Sequence, residues 1–266
     1  MKKWIMGGAV ILSLMLSTGV AFASHSWGPY HWARTSNPFT LNLVDNVPST
    51  WDPYLNEASY DWSLSEVLDT AIGPGNTSDR CNKPKSGQVK VCAAKYGANG
   101  WLGQAGIWVN SDNHITAGVT KMNDTYFNTT KYNTPGWRDL VMCQEIGHTF
   151  GLDHQDETFN NPNLGTCMDY TNNPDGPPAN RQPNQHDYDQ LAAIYGGHVD
   201  GSSTLTQSIQ SARGRASDGD GDVDEDLGAP VHSDPHGRPN VFAKDLGGGA
   251  KKITWILWTE PDTGHP

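Results

Sequence analysis

Two periods organise the apolar positions along this chain. Between residues 47 and 62, Trp51, Leu55, Ala58 and Trp62 fall four, three and four apart after a Pro48-Ser49 start signal. That spacing predicts a helix with one apolar face. Beyond it the segments shorten. Residues 67–72, 88–94, 101–109 and 115–122 are rich in β-branched or aromatic side chains and are separated by Gly, Pro, Asn and Asp clusters, which predicts strands. Helical character returns at Thr134-Pro135. Thr as N-cap and Pro at the first helical position predict a helix to about Phe150, with Gly151 as its stop. A long Asn- and Asp-rich loop, 155–183, leads to a last helix, about 186–195. Tyr188, Leu191, Ala192 and Tyr195 share its face, and Gly196-Gly197 close it.

The ends of the chain differ from this middle. Lys2-Lys3, an apolar stretch over 4–22 and the ending Ala21-Phe22-Ala23 read as a secretory signal peptide, residues 1–23, with Ser24 as the mature start. The chain is therefore expected outside the cell, with no membrane attachment after cleavage. After Gly197 the composition shifts. Residues 198–226 read as a linker, Ser/Gln/Thr-rich and then acidic. Residues 227–266 read as a small β appendage, with strands at Val241-Phe242 and 253–258 around Gly247-Gly248-Gly249.

Charge and cysteines narrow the chemistry. Eighteen Lys and Arg against 29 Asp and Glu give a formal net charge of -11, which excludes a nucleic-acid binder that needs a basic face. Hydrophobic residues at 36% are enough to bury a core, which excludes a fully disordered chain. Four cysteines in an exported chain suggest two disulfides, with three pairings open. Cys81 and Cys92 would close a short hairpin-like loop, and Cys81–Cys92 with Cys143–Cys167 is the preferred set.

The chemistry concentrates in Gln144-Glu145-Ile146-Gly147-His148-Thr149-Phe150-Gly151-Leu152-Asp153-His154. On a helix, residues 144 and 148 share a face. Gly151 can take a left-handed conformation and turn the chain so that His154 comes back towards His148. Two imidazoles beside a carboxylate are what a hydrolytic zinc site uses. The segment resembles the long zinc signature of metzincin metalloproteases, H-E-x-x-H-x-x-G-x-x-H. Thr166-Cys167-Met168-Asp169-Tyr170 resembles the methionine-bearing turn of that clan. The helix at Asp187–Gly196 looks like the last helix of matrixin-type catalytic domains. The strand Ile115-Thr116-Ala117-Gly118-Val119 is similar to the clan's substrate-holding edge strand.

That resemblance implies an α+β fold: a metzincin-like catalytic domain over residues 24–197, with a mixed, mostly parallel twisted sheet and an active-site helix, plus the C-terminal β appendage. It implies a secreted zinc endopeptidase acting on protein or peptide substrates, expected as a monomer. One catalytic Zn2+ would be held by His148, His154 and Gln144, with Glu145 as general base, Tyr170 as a candidate for holding the oxyanion, and Met168 as an apolar floor. One position departs from the signature: Gln144 stands where the family has His. The alternative is therefore a catalytically degenerate relative that binds peptides or surfaces. The run Asp218–Asp224 is a lesser candidate for Ca2+, since the sixth and twelfth positions of an EF-hand loop would be Val223 and Ala229. A solvated acidic linker is the first reading of that run.

Overall fold

A computed structural model describes residues 24–77, 81, 84–205 and 226–260. The expected signal peptide and the Asp218–Asp224 run lie outside them. Strands β1 (His31–Trp32), β2 (Phe39–Asn46), β3 (Leu68–Pro74), β4 (Gln88–Ala94), β5 (Trp101–Val109), β6 (His114–Asn123), β7 (Ala229–Ser233), β8 (Pro239–Gly247) and β9 (Ala250–Trp258) build one sheet. Its order is β3-β2-β4-β6-β5-β9-β8-β7, and β1 pairs off this path with β6. Helices α1 (Asp52–Trp62), α2 (Asp124–Phe127), α3 (Pro135–His148) and α4 (Gln185–Tyr195) complete the fold. The class is α+β with a mixed sheet.

The sheet is not mostly parallel. Pairings β1–β6, β2–β3, β2–β4 and β4–β6 are parallel, while β5–β6, β5–β9, β7–β8 and β8–β9 are antiparallel. The C-terminal strands shift this balance, because β9 pairs along the whole outer side of β5. They join the same core: Val241, Ile253, Trp255 and Leu257 pack in one buried cluster with Leu140, Val141 and Met168. Strand β2 carries the alternation Phe39, Leu41, Leu43, all buried, with Thr40 exposed between them. Such a period of two is the signature of a strand with one face on the core.

Helix α3 is buried along nearly its whole length. Thr134 caps it, its side chain accepting from the Trp137 amide, with Pro135 in the first turn. It ends at His148, two residues before the expected end at Phe150. The chain there tightens into i→i−3 bonds, Thr149 to Ile146 O and Phe150 to Gly147 O, both 3.0 Å, which satisfy the last carbonyls. Gly151 then takes φ +92°, and a Cβ there would lie 2.3 Å from the Tyr30 carbonyl. Helix α1 starts at Asp52 rather than at residue 47, with Pro53 in its first turn. Trp62 at its end donates to Cys143 O at 3.1 Å, fixing α1 on α3.

Candidate metal centre and active site

Gln144, Glu145 and His148 come from one helix, and His154 returns to them through the Gly151 turn. His148 Nδ1 lies 2.9 Å from Leu152 O, and His154 Nδ1 lies 2.7 Å from Glu157 Oε1. Both partners are acceptors, so each Nδ1 carries the hydrogen. Each Nε2 then presents its lone pair inward, and the two Nε2 atoms face one another at 3.0 Å. Burial, and next the neighbouring His154, hold His148 well below the ordinary histidine range. Two facing lone pairs require a positive charge: a second proton on one ring, or a cation bound by both.

The surrounding donors fit a metal. Gln144 Nε2 donates to Cys167 O at 2.7 Å, which leaves Gln144 Oε1 buried without a hydrogen-bond partner among the described residues. An orphaned buried acceptor costs roughly 1–3 kcal/mol unless something binds it. The Glu157–His154 contact is the outer carboxylate that commonly orients a metal-bound imidazole. Burial opposes the Glu157 charge, but the bonds from His154 and from Asn240 hold its carboxyl below its usual value. Glu157 was not among the sequence candidates; its position three residues after His154 was the available signal.

Glu145 is fully buried, and neither carboxylate oxygen has a partner among the described residues. Burial pushes its carboxyl well above the ordinary glutamate range. It lies against β5 where the strand has Gly103; a Cβ there would come within 2.2 Å of Glu145 Oε1. Met168 is buried with its sulfur against Gly147 of α3. The two disulfides are Cys81–Cys92 and Cys143–Cys167, and the second ties α3 to the loop carrying Met168. The Tyr170 ring centroid lies 4.5 Å from that of His154, and burial pushes the Tyr170 hydroxyl far above its usual range.

Strand β6, which contains Ile115–Val119, is not an edge. It sits between β4 and β5. A tight turn over 110–113 folds β5 back onto it, so β5 is the strand that runs past Glu145. The outer side of β5 is in turn taken by β9, paired from Trp101↔Trp258 to Val109↔Lys251 with one register shift between Trp101 and Gly103. Trp255 of β9 stacks on His148, centroids 5.1 Å apart and planes 5° from parallel. Asn240 of β8 donates to Glu157 Oε1 at 2.7 Å and has its Nδ2 3.4 Å from the Tyr170 hydroxyl. His232 of β7 meets Asn240 Oδ1 at 2.8 Å. These C-terminal residues cover the centre: Glu145 is 0% and His148 1% exposed. No local pattern marks Trp255 or Asn240 as neighbours of the histidines. Of the other histidines, His186 stacks on His25 and His114 lies beside Asp200, so neither joins this centre.

No family model and no curated protein matches the chain. Among solved structures it is similar to that of myroilysin, at TM-score 0.36 and 10% identity, over 63% of this chain and 97% of that one. Among the described residues, no helix is long and apolar enough to cross a membrane.

Proposed function

We propose that this chain is a secreted zinc-dependent endopeptidase whose cleft is closed by its own C-terminal strands. The observation that carries the proposal is the pair of Nε2 lone pairs facing at 3.0 Å, with both Nδ1 atoms already committed. His148 and His154 would hold the ion, and the orphaned Gln144 Oε1 would be the third protein ligand. A zinc ion bound there would supply Lewis-acid polarisation of the peptide carbonyl and acidify a water. Glu145 is the base. Its unpaired carboxylate takes the proton of the attacking water on one oxygen and delivers it to the leaving amine. The Tyr170 hydroxyl, beside His154, donates to the developing oxyanion. Met168 floors the imidazoles and holds them in place.

A peptide extending the sheet at β5 would use the backbone groups that β9 now occupies. Cleavage therefore requires β9 to leave β5. This makes the protein a closed peptidase, with low basal turnover and a barrier set by the hairpin. The substitution of Gln for His at residue 144 supports a second reading, a metal-free relative that binds without cleaving. Cleavage of unfolded casein by the zinc-loaded protein separates the two. Turnover that EDTA and Glu145→Ala both abolish supports the peptidase. Unbroken casein with no zinc retained supports the second reading.

A further inference from the structure

A second group of metal-ligating side chains lies outside this centre. His31 in β1 and His114 at the start of β6 are register partners, and their rings sit 4.9 Å apart. His198 and Asp200 follow α4. All three imidazoles turn Nε2 towards one atom, Asp200 Oδ1: His114 at 3.3 Å, His31 at 3.5 Å and His198 at 3.9 Å. The Nε2 atoms of His31 and His198 are 3.4 Å apart. Zinc bonds of about 2.0–2.1 Å place the corners of a tetrahedron roughly 3.3–3.4 Å from one another. The His31–His198 and His31–Asp200 separations are close to that edge and His198–Asp200 is wider; these three donors lie within 4.8 Å of one another, while His114 stands outside the group, beside Asp200.

The surroundings orient these donors. His31 Nδ1 meets the Pro29 carbonyl at 2.9 Å, so its hydrogen is there and its lone pair is on Nε2. Asp200 Oδ2 accepts from the Arg34 amide at 3.1 Å and from Arg34 Nη1 at 3.0 Å, which leaves Oδ1 for the histidines. Arg34 is buried and also donates to Tyr195 O and His198 O, at 2.6 and 2.7 Å, which fixes the chain after α4. Arg34 Nη1 lies 3.4 Å from His198 Nε2 as well, so a metal-free cluster of His, Asp and Arg is the competing arrangement.

We propose that His31, His198 and Asp200 bind a zinc ion that staples β1 to the chain after α4. Two imidazoles and one carboxylate suit zinc rather than magnesium or calcium, which take oxygen donors. Three protein ligands leave the fourth corner of the tetrahedron to water. The ion joins segments that are remote in sequence, and so acts as a cross-link beside the two disulfides.

The test is zinc per chain, by mass spectrometry after exhaustive dialysis, for the full protein and four variants. His198 is a half-exposed residue, so His198→Ala should fold; circular dichroism checks this, and His31→Ala gives an independent second variant. The wild type should hold two zinc ions, His198→Ala one, His148→Ala one, and the double variant none. In the His148→Ala background, EDTA should lower the melting temperature, and it should no longer do so once His198→Ala is added. One zinc in the wild type that His198→Ala loses and His148→Ala keeps would uphold this site while removing the proposed catalytic one. Equal zinc in wild type, His198→Ala and His31→Ala would overturn the inference. So would a wild type that holds none.

Discussion

Trp255→Ala should convert a closed peptidase into an active one. The indole is fully buried and stacked on His148, and every contact it makes there is lost when β9 leaves β5. Truncating a buried Trp to Ala costs about 3–5 kcal/mol. Because the open form never had those contacts, nearly all of that cost falls on the closed form. At about 1.36 kcal/mol per factor of ten, even 3 kcal/mol raises the open population roughly a hundred-fold. The assay is the initial rate of casein cleavage per mole of zinc-loaded protein, with hydrogen exchange of the β5 amides in parallel. Both should rise together. Trp51→Ala is the control: that indole is equally buried, but its Nε1 bonds Asp124 at 2.9 Å and its ring packs on Tyr54, Phe127 and Arg138 rather than on the histidines. It should destabilise by a similar amount and leave cleavage unchanged. A folded Trp255→Ala protein that cleaves no faster than wild type would refute closure by the hairpin, as would equal acceleration by Trp51→Ala.

Other substitutions test the parts separately. Gln144→His should tighten zinc binding and Gln144→Ala should weaken it, measured by competition with a chromogenic chelator, because imidazole is a stronger donor than an amide oxygen. Removing the Cys143–Cys167 bridge, which spans a sequence separation of 24, should cost about 3.4 kcal/mol in urea denaturation by the loop-entropy relation. Asp61 is pushed up to about 6 from 3.8 by burial and then by the Glu57 and Asp139 charges. A raised carboxyl contributes stability that is present below about pH 4 and lost as pH rises through 6. Asp61→Asn should therefore match wild type at pH 4 and exceed it by at most about 3 kcal/mol at pH 8, read from urea midpoints.

Local signals made much of this molecule legible in its sequence. Strands β4 and β5 run over 88–94 and 101–109, where β-branched and aromatic residues between turn formers marked them. Thr134-Pro135 and Gly151 bracketed α3, and the turn at Gly151 brought His154 Nε2 to 3.0 Å from His148 Nε2. Strand β2 was open to the same reasoning, since Phe39, Leu41 and Leu43 alternate with polar residues. What could not be read was set by pairing between distant segments. Ala105 meets Trp255 through a strand register that no local pattern encodes, so the C-terminal strands looked like an appendage rather than a cover. His31 and His114 likewise lack partner spacing in the chain. They meet only because β1 pairs with β6, and His198 and Asp200 reach them because Arg34 gathers the backbone after α4.

Crystals of the zinc-loaded protein, measured at the zinc absorption edge, would locate the ion. An anomalous peak is expected between His148 Nε2 and His154 Nε2 at about 2.0–2.1 Å from each. Gln144 Oε1 should be the third protein ligand, and Glu145 should lie beside the ion without binding it. Absence of density between those two nitrogens, or a zinc ion there with Gln144 turned away from it, would rule out the proposed centre.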